Sequence, residues 1–146
     1  MPRPQTPALA ADIIIELMDL EARPIVLIER KYPPAGWAIP GGFVDVGETV
    51  EQAAVREALE ETSLQVSLVA LLGCYSKPAR DPRGHTVSVV YVAHASGVPV
   101  ARDDARSVNV CPPDQPLQPL AFDHCKILQD YLRWRGGGRV GQLYLG

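Results

Sequence analysis

The stretch GGFVDVGETVEQAAVREALEETSL, residues 41–64, joins a glycine-containing turn to an acidic segment that favours a helix. Residues 49–62 contain no proline or glycine and are rich in alanine, glutamate and leucine, so we predict a helix capped by Thr49 or Glu48. Two glycines at the start are typical of a chain that turns tightly or closely approaches a ligand. The stretch therefore predicts a glycine turn leading into a helix.

Three glutamates fall on one face of the predicted helix. Glu57 and Glu61 lie one turn apart with Glu60 beside them, whereas Val55 and Leu59 are expected to face a core. Like charges at this spacing destabilise a helix, and a hard divalent cation held by carboxylate oxygens would offset their repulsion. Mg2+ or Mn2+ suits a site of glutamates, water and substrate phosphates. An acidic face that is simply solvated is the alternative explanation of these three residues alone.

The wider spacing of charged residues resembles a known family pattern, the Nudix box. That pattern is a glycine, five residues, a glutamate, seven residues, Arg-Glu, an aliphatic residue, any residue, Glu-Glu, any residue, a glycine and an aliphatic residue. The chain matches it at Gly42, Glu48, Arg56, Glu57, Glu60, Glu61 and Leu64. Two positions depart: Ala58 is small for the aliphatic position, and Ser63 replaces the final glycine. If that position needs a positive φ, serine costs about 1 kcal/mol there.

The resemblance implies hydrolysis of a nucleoside diphosphate linked to another group, with Mg2+ or Mn2+ bound to the box. Carried over residue by residue, Glu57 and Glu61 resemble the principal metal ligands. Glu60 resembles a further ligand or one that acts through water, and the carbonyl of Gly41 resembles a backbone ligand. A metal bound to a diphosphate would neutralise charge and lower the pKa of the attacking water.

Supporting and proton-accepting residues are also implied by the family. Arg56 and Glu48 would form the pair that holds the loop to the helix. Many members use a carboxylate from a later loop as a base or further ligand, but no glutamate follows Glu61 in this chain. The remaining loop candidates are Asp103, Asp104 and Asp114. We expect Asp104 to be this base or further ligand. The alternatives are a base within the box and a merely solvated turn at 102–106.

Two further segments resemble the ADP-ribose pyrophosphatase branch of the family. They are YSKPARDPRGHTVSVVYVA at 75–93, with Pro78 fifteen residues beyond the box glycine position, and LAFDHCKIL at 120–128. The resemblance implies that ADP-ribose is cut to AMP and ribose 5-phosphate. Residues 108–120 depart from the branch, because NVCPPDQPLQP stands in place of an aromatic and acidic segment.

Arginine and aromatic residues near these segments are candidate substrate contacts, in addition to Pro78. Arg80 and Arg83 could contact phosphate or the terminal ribose, and Tyr32 or Trp37 could stack on adenine. Packing and turn formation would explain the same residues without a ligand.

Alternating strand-like and helix-like segments predict an α/β (α+β) fold. Strands are expected at 12–18, 24–30, 64–76 and 86–96, the second helix at 120–134, and loops at 31–48 and 97–119. Within 31–48 one short extended piece is expected, and Gly73 is a candidate bulge. The resemblance implies the Nudix-type α/β/α sandwich, a mixed curved sheet between helices. The second helix should place Leu120, Ile127, Leu128, Tyr131 and Leu132 on one face.

Length and composition limit the domain count and the partner. A chain of 146 residues with 47% hydrophobic content suits one domain, 1–146, with an N-terminal extension at 1–10 and a glycine-rich tail at 136–146. A formal net charge of −3 predicts no general attraction to nucleic acid or anionic membrane, so the expected partner is a small nucleotide. No secretory signal or membrane span is evident, which favours a cytoplasmic protein. Three cysteines without CxxC spacing argue against a disulfide framework or a zinc site.

Two other functions remain open at this stage. One is a house-cleaning nucleoside triphosphate pyrophosphohydrolase, which would release pyrophosphate from altered nucleotides. The other is a non-catalytic sensor that binds ADP-ribose or a dinucleotide without turnover. Family members often pair as a homodimer, and the tail after Trp134, where QLYL could add a strand, is a candidate contact for such pairing.

Overall fold

The computed structural model describes residues 1–139, in which a seven-stranded mixed sheet lies between two helices. The elements are β1 (Ala8–Leu17), β2 (Ile25–Arg30), β3 (Trp37–Ala38), β4 (Gly41–Phe43), α1 (Val50–Thr62), β5 (Ser67–Tyr75), β6 (Thr86–Ala95), β7 (Ala105–Cys111) and α2 (His124–Arg135). A short 3-10 helix spans Pro78–Arg80. The predicted fold class is confirmed.

Strand β1 is the centre of the sheet. It pairs in parallel with β6 along its whole length, from Ala8↔Thr86 to Leu17↔Ala95. On its other edge, β1 pairs antiparallel with β4 near its start and with β2 at Glu16. Strand β5 pairs with β6, and β2 continues to β3 and β7. The site is built around this strand, because β4 brings the glycine turn directly alongside it.

Each face of the sheet is covered by one helix. On one face, Ala11, Ile13 and Ile15 pack with Ala53, Ala54 and Ala58 of α1. On the other, Ile14, Ile25 and Leu27 pack with Ile127, Leu128 and Tyr131 of α2. Burying apolar side chains on both faces of one sheet accounts for the β-branched runs that mark its strands.

The prediction that Val55 and Leu59 face the core is wrong. Each is 38% exposed, and the buried positions of α1 are its alanines together with Glu61 and Thr62. Small side chains allow the helix to lie close to the sheet, which brings the acidic residues of the same helix to β4. The small Ala58 in the box has the same explanation, because it is fully buried against the sheet.

Strand β7 lies inside the segment 97–119 that was expected to be a loop, and that expectation is wrong there. Its residues pair antiparallel with β2, from Ile25↔Cys111 to Arg30↔Ala105. The sequence ARSVNVC mixes polar and small residues, so its own pattern is weak and the pairing with β2 decides its conformation. The segment 31–48 likewise contains two short strands, β3 and β4, where one extended piece was expected.

Several element boundaries differ from the sequence-based expectation. Strand β1 begins at Ala8, within the 1–10 segment that was expected to be an extension. Helix α2 begins at His124, so Leu120 is outside it and instead forms an isolated bridge with Trp37. The bulge at Gly73 is confirmed by a register shift between Leu71 and Gly73. The predicted QLYL strand lies outside the described residues.

No helix within residues 1–139 is long and apolar enough to cross a bilayer. Cys74 and Cys125 are exposed and Cys111 is buried, and all three are free thiols.

Candidate functional site

A cavity of about 290 Å³ opens beside the glycine turn of β4. Its wall gathers charged and aromatic side chains from β1, β2, β4, α1, the segment before β7, the segment around the 3-10 helix and the start of α2. These side chains are Asp12, Arg30, Tyr32, Phe43, Asp45, Glu57, Glu61, Arg80, Asp81, Arg83, Asp104, Phe122 and His124. Acidic and basic groups in one cleft suit a ligand that carries phosphates, bound together with a cation.

The acidic helix and the glycine turn are in direct contact. The amide of Gly41 donates a 2.7 Å hydrogen bond to Oε1 of Glu61. A Cβ atom on Gly42 would overlap the carboxylate of Glu57. A Cβ atom on Gly41 would instead overlap Asp12 and the backbone oxygen of Ala11. The two glycines therefore let β4 lie close to Glu57 and to β1.

Arg56 ties the loop before α1 to the helix, as the sequence predicts. Its Nε and Nη2 donate to the carboxylate of Glu48 at 2.7 and 2.9 Å, and the hydrogen bonds from Arg56 lower the pKa of Glu48 to about 2. Its Nη1 donates to Glu57 at 2.9 Å and to Glu60 at 3.1 Å. Its Nη2 also donates to the backbone oxygen of Phe43 at 3.0 Å. One guanidinium thus fixes the positions of the loop, strand β4 and two of the three glutamates Glu57, Glu60 and Glu61.

Burial and the repulsion of neighbouring carboxylates raise the pKa values of Glu57 and Glu61. Burial raises the pKa of Glu61 to about 8, and the charges of Glu57, Asp12 and Asp104 act in the same direction. Burial also raises the pKa of Glu57, although the hydrogen bond from Arg56 opposes this. A bound cation would stabilise the ionised form of both groups. The donor chemistry at Glu57, Glu61 and Gly41 therefore fits a hard divalent ion.

Glu60 is placed differently from its two neighbours. Its side chain is 43% exposed and contacts Arg56, and it is not part of the cavity wall. Within residues 1–139, no three His, Cys, Asp or Glu side chains lie close enough together to enclose an ion. The fit to a metal rests on two carboxylates with the adjacent backbone, and Glu60 is the outer member of the set.

Asp12 is a buried residue of the cavity wall that the sequence did not indicate. It lies on β1, where a Cβ on Gly41 would overlap its Oδ1, and Ser88 donates a hydrogen bond to its Oδ2. Burial raises the pKa of Asp12 to about 6. The one available signal was a charged residue opening the β-branched run DIIIEL. That signal cannot show which face of the sheet will meet the glycine turn.

His124 lies beside Asp12 and is a neutral, buried ring. The amide of Ile39 donates to its Nδ1 at 3.0 Å, and its Nε2 is 3.9 Å from Oδ2 of Asp12. Burial lowers the pKa of His124 to about 3, and the charges of Arg80 and Arg30 contribute. The ring therefore holds the loop before β4 through an acceptor nitrogen.

Of the predicted substrate contacts, Arg80, Arg83 and Tyr32 line the cavity and Trp37 and Pro78 do not. Arg80 is buried and donates two hydrogen bonds to Asp123, at 2.7 and 3.0 Å. Pro78 starts the 3-10 helix that carries Arg80. Trp37 packs against the core beneath α2, which is the packing role left open by the sequence.

Of the three loop aspartates considered from the sequence, Asp104 is the one that lines the cavity. It lines the same wall as Glu57 and Glu61, and its charge contributes to the raised pKa of each. Asp103 and Asp114 are not part of that wall. The geometry is therefore compatible with the choice of Asp104 among the three loop aspartates.

The two histidines outside the cavity, His85 and His94, each have a polar contact with a neighbouring part of the chain. His94 Nε2 lies 3.0 Å from Oε1 of Glu16, and His85 Nε2 lies 3.0 Å from the backbone oxygen of Ser76. Neither residue lines the cavity.

Comparison with known proteins gives consistent matches over most of the chain. Residues 6–131 match the family model of the NUDIX domain. An ADP-ribose pyrophosphatase of Methanocaldococcus jannaschii is 48% identical over 134 residues, which cover 90% of this chain and 76% of that protein. The ADPR responsive transcriptional repressor NtrR of Acinetobacter baylyi is 32% identical over 131 residues, 85% of this chain and 52% of the repressor.

A solved structure extends the similarity to three dimensions. The NUDIX domain of Shewanella oneidensis NrtR, complexed with ADP ribose, superposes with a TM-score of 0.80 at 27% identity. The match covers 90% of each chain.

Proposed function

This chain belongs to the Nudix family, and from that membership we propose that it hydrolyses ADP-ribose to AMP and ribose 5-phosphate. The observation that supports ADP-ribose as the substrate is the 48% identity to an ADP-ribose pyrophosphatase over 90% of the chain. The intact set Glu57, Glu60 and Glu61 beside the glycine turn supports an enzyme that acts on a diphosphate bond.

Divalent metal ions are a general requirement of Nudix hydrolases, and we propose Mg2+ or Mn2+ here. Glu57, Glu61 and the carbonyl of Gly41 would hold the ion, and Glu60 would contribute directly or through water. When bound, the ion supplies charge neutralisation for the diphosphate and a lower pKa for the attacking water. The raised pKa of both inner glutamates supports this assignment, since a bound cation would stabilise their ionised forms.

The protein residues orient the reaction. Arg56 holds the glutamates and the loop in fixed positions relative to each other through its hydrogen bonds to Glu48, Glu57 and Glu60. Water attacks one phosphorus, the bridging P–O bond breaks, and the proton of the water passes to a carboxylate. We assign this last role to Asp104, because it lines the cavity together with Glu57 and Glu61.

Arginines in the cavity wall suit the phosphates that the acidic groups would otherwise repel. Arg83 has a side chain that is 42% exposed, so it can reach a ligand. Arg80 is committed to Asp123 and contributes a buried positive charge. A diphosphate bound between these cations and the metal would be neutralised along its length.

A sensor that binds ADP-ribose without turnover is the second candidate. The relative NtrR and the NrtR domain with bound ADP ribose are the specific observations that favour it. An enzyme and a sensor are distinguished by whether the chain converts bound ADP-ribose to products. Incubation of the chain with ADP-ribose and Mg2+, followed by mass analysis, should give AMP and ribose 5-phosphate. Tight binding with unchanged ADP-ribose would instead identify a sensor.

The control for that experiment is the double variant Glu57→Gln, Glu61→Gln. It keeps the size of both side chains but removes the charges that would hold the metal. Product formation that persists in this variant would show that a contaminating enzyme, and not this site, is responsible.

A further inference from the structure

The wall of the cavity brings two aromatic rings and two guanidinium groups together. Cζ of Arg83 lies 5.4 Å from the centroid of the Phe43 ring and 5.2 Å from that of Phe122. Cζ of Arg30 lies 4.8 Å from the same Phe122 ring. All four residues line the cavity. Phe43 and Phe122 come from β4 and from the turn before α2, so the fold brings the layers together from distant parts of the chain.

We propose that Phe43, backed by the Arg83 guanidinium, is the platform on which the planar base of the nucleotide stacks. This inference rests on the proposed function and deepens it, because it assigns the subsite for the base. Aromatic rings and planar guanidinium groups both stack on nucleobases.

The free aromatic surface of this stack belongs to Phe43. The residue is 45% exposed although it lies in a strand that borders the cavity. Phe122, in contrast, is contacted by both arginines and by the ring of His124, whose centroid is 5.2 Å away. Phe122 therefore supports Arg83, and Phe43 presents the surface that a base can cover.

The position of Arg83 is fixed by a buried carboxylate. Asp81 accepts from Nε of Arg83 at 3.0 Å, from Nη2 at 2.8 Å and from the backbone amide at 2.9 Å. The Asp81 side chain is almost fully buried. A guanidinium held by two bonds to one carboxylate has a fixed plane, which is what a stacking surface requires.

The platform is also fixed relative to the acidic cluster. Phe43 pairs with Ala10 of β1, and its backbone oxygen accepts from Nη2 of Arg56 at 3.0 Å. The preceding residue, Gly42, lies against the carboxylate of Glu57. A nucleotide whose base covers Phe43 would thus place its phosphate toward the acidic cluster.

Tyr32 is the other exposed aromatic residue of the wall, and the sequence analysis favoured it or Trp37 for stacking. Tyr32 is 58% exposed, and within residues 1–139 no ring or cation contact holds it. Trp37 lies outside the cavity wall. Phe43 is therefore the better supported stacking residue.

The test compares two ligands that share a phosphate and a ribose but differ in the base. Binding of AMP and of ribose 5-phosphate is measured by calorimetry with Mg2+ present, for wild type, Phe43→Ala, Phe43→Leu, Phe43→Tyr and Phe43→Trp. Loss of one base–ring stack should weaken AMP binding by roughly tenfold in the Ala and Leu variants. Ribose 5-phosphate binding should stay unchanged, and Tyr or Trp should restore AMP binding. Thermal unfolding of each variant checks that the fold is kept.

Two results would overturn the platform: unchanged AMP binding in Phe43→Ala, or an equal loss for AMP and ribose 5-phosphate. Failure of the proposed function gives a different pattern. In that case wild type leaves ADP-ribose intact, while AMP binding still depends on the ring at position 43.

Discussion

The amide of Gly41 and the carboxylate of Glu61 are joined by a 2.7 Å hydrogen bond, although twenty residues separate them. The bond connects the start of β4 to the last turn of α1. It makes the glycine turn and the acidic helix one structural unit, in which a backbone carbonyl and two carboxylates can face the same ion.

Replacement of the inner glutamates should remove most of the metal-dependent rate. Glu57→Gln and Glu61→Gln each delete a charge in the cavity wall, and we expect kcat for ADP-ribose to fall by at least about a hundredfold. Glu60→Gln should cost less, about tenfold, because Glu60 is outside the wall. Steady-state rates over a range of Mg2+ concentrations measure both effects. An equal loss for all three variants would contradict the distinction between inner and outer glutamates.

Asp104→Asn should lower kcat with little change in KM. The amide cannot accept a proton from water, but it keeps the shape of the side chain. A drop of about a hundredfold in kcat is expected if Asp104 is the base. Asp103→Asn is the matched control, since Asp103 is the neighbouring aspartate outside the cavity wall. A normal rate in Asp104→Asn would move the base into the box.

The buried His124 should make the protein less stable in acid. Its pKa in the folded state is about 3, against an ordinary value of 6.5, so between these pH values the unfolded chain binds a proton that the folded chain does not. Stability contributed by the neutral ring is therefore complete above pH 6.5 and is lost as the pH falls toward 3.

The variant His124→Asn isolates this effect, because the Asn oxygen can accept from Ile39 in place of Nδ1. The free energy of unfolding is measured in urea from pH 7 to pH 4. Its slope against pH should be shallower in the variant, by an amount equivalent to up to about one bound proton. Identical slopes in the two proteins would show that His124 does not titrate in this way.

Ser63 occupies the position of the box glycine with a φ of 65°, in the left-handed region. Its Oγ donates to the backbone oxygen of Val100 at 3.0 Å, which compensates part of the conformational cost. Ser63→Ala removes that hydrogen bond but keeps the conformational cost of a side chain at positive φ. Ser63→Gly removes both the hydrogen bond and this cost. We expect the Gly variant to be more stable than the Ala variant by about 1 kcal/mol in urea unfolding. Equal stabilities would contradict this account of the helix end.

The strands and the box helix were predictable because their own patterns are strong. The run IIIEL and the helix 49–62 have clear composition, and the helix begins and ends as expected. Strand β7 was missed because its pairing with β2 determines it more than its own residues do. The core face of α1 was misassigned because alanines, and not the larger Val55 and Leu59, contact the sheet.

Contacts between site residues were predictable from spacing only where the residues are close in sequence, although Tyr32, Arg80, Arg83 and Asp104 were singled out individually and line the cavity. The relation of Arg56 to Glu48 and the grouping of Glu57 with Glu61 follow from spacing along one helix and its preceding loop. Asp12, His124 and Phe122 reach the cavity through the packing of β1 and α2, which spacing does not encode. Trp37 lies outside the cavity wall, and its packing beneath α2 likewise depends on the tertiary structure.

The measurement that tests the central claim most directly is a comparison of kcat/KM values with Mg2+ across one substrate panel. The panel contains ADP-ribose, NADH, a diadenosine polyphosphate, a nucleoside diphosphate sugar and an oxidised deoxynucleoside triphosphate, with products identified by mass. Our account predicts that ADP-ribose has the highest kcat/KM and yields AMP plus ribose 5-phosphate, and that Glu61→Gln abolishes this activity. A higher kcat/KM for the triphosphate with release of pyrophosphate, or no turnover of any substrate, would contradict it.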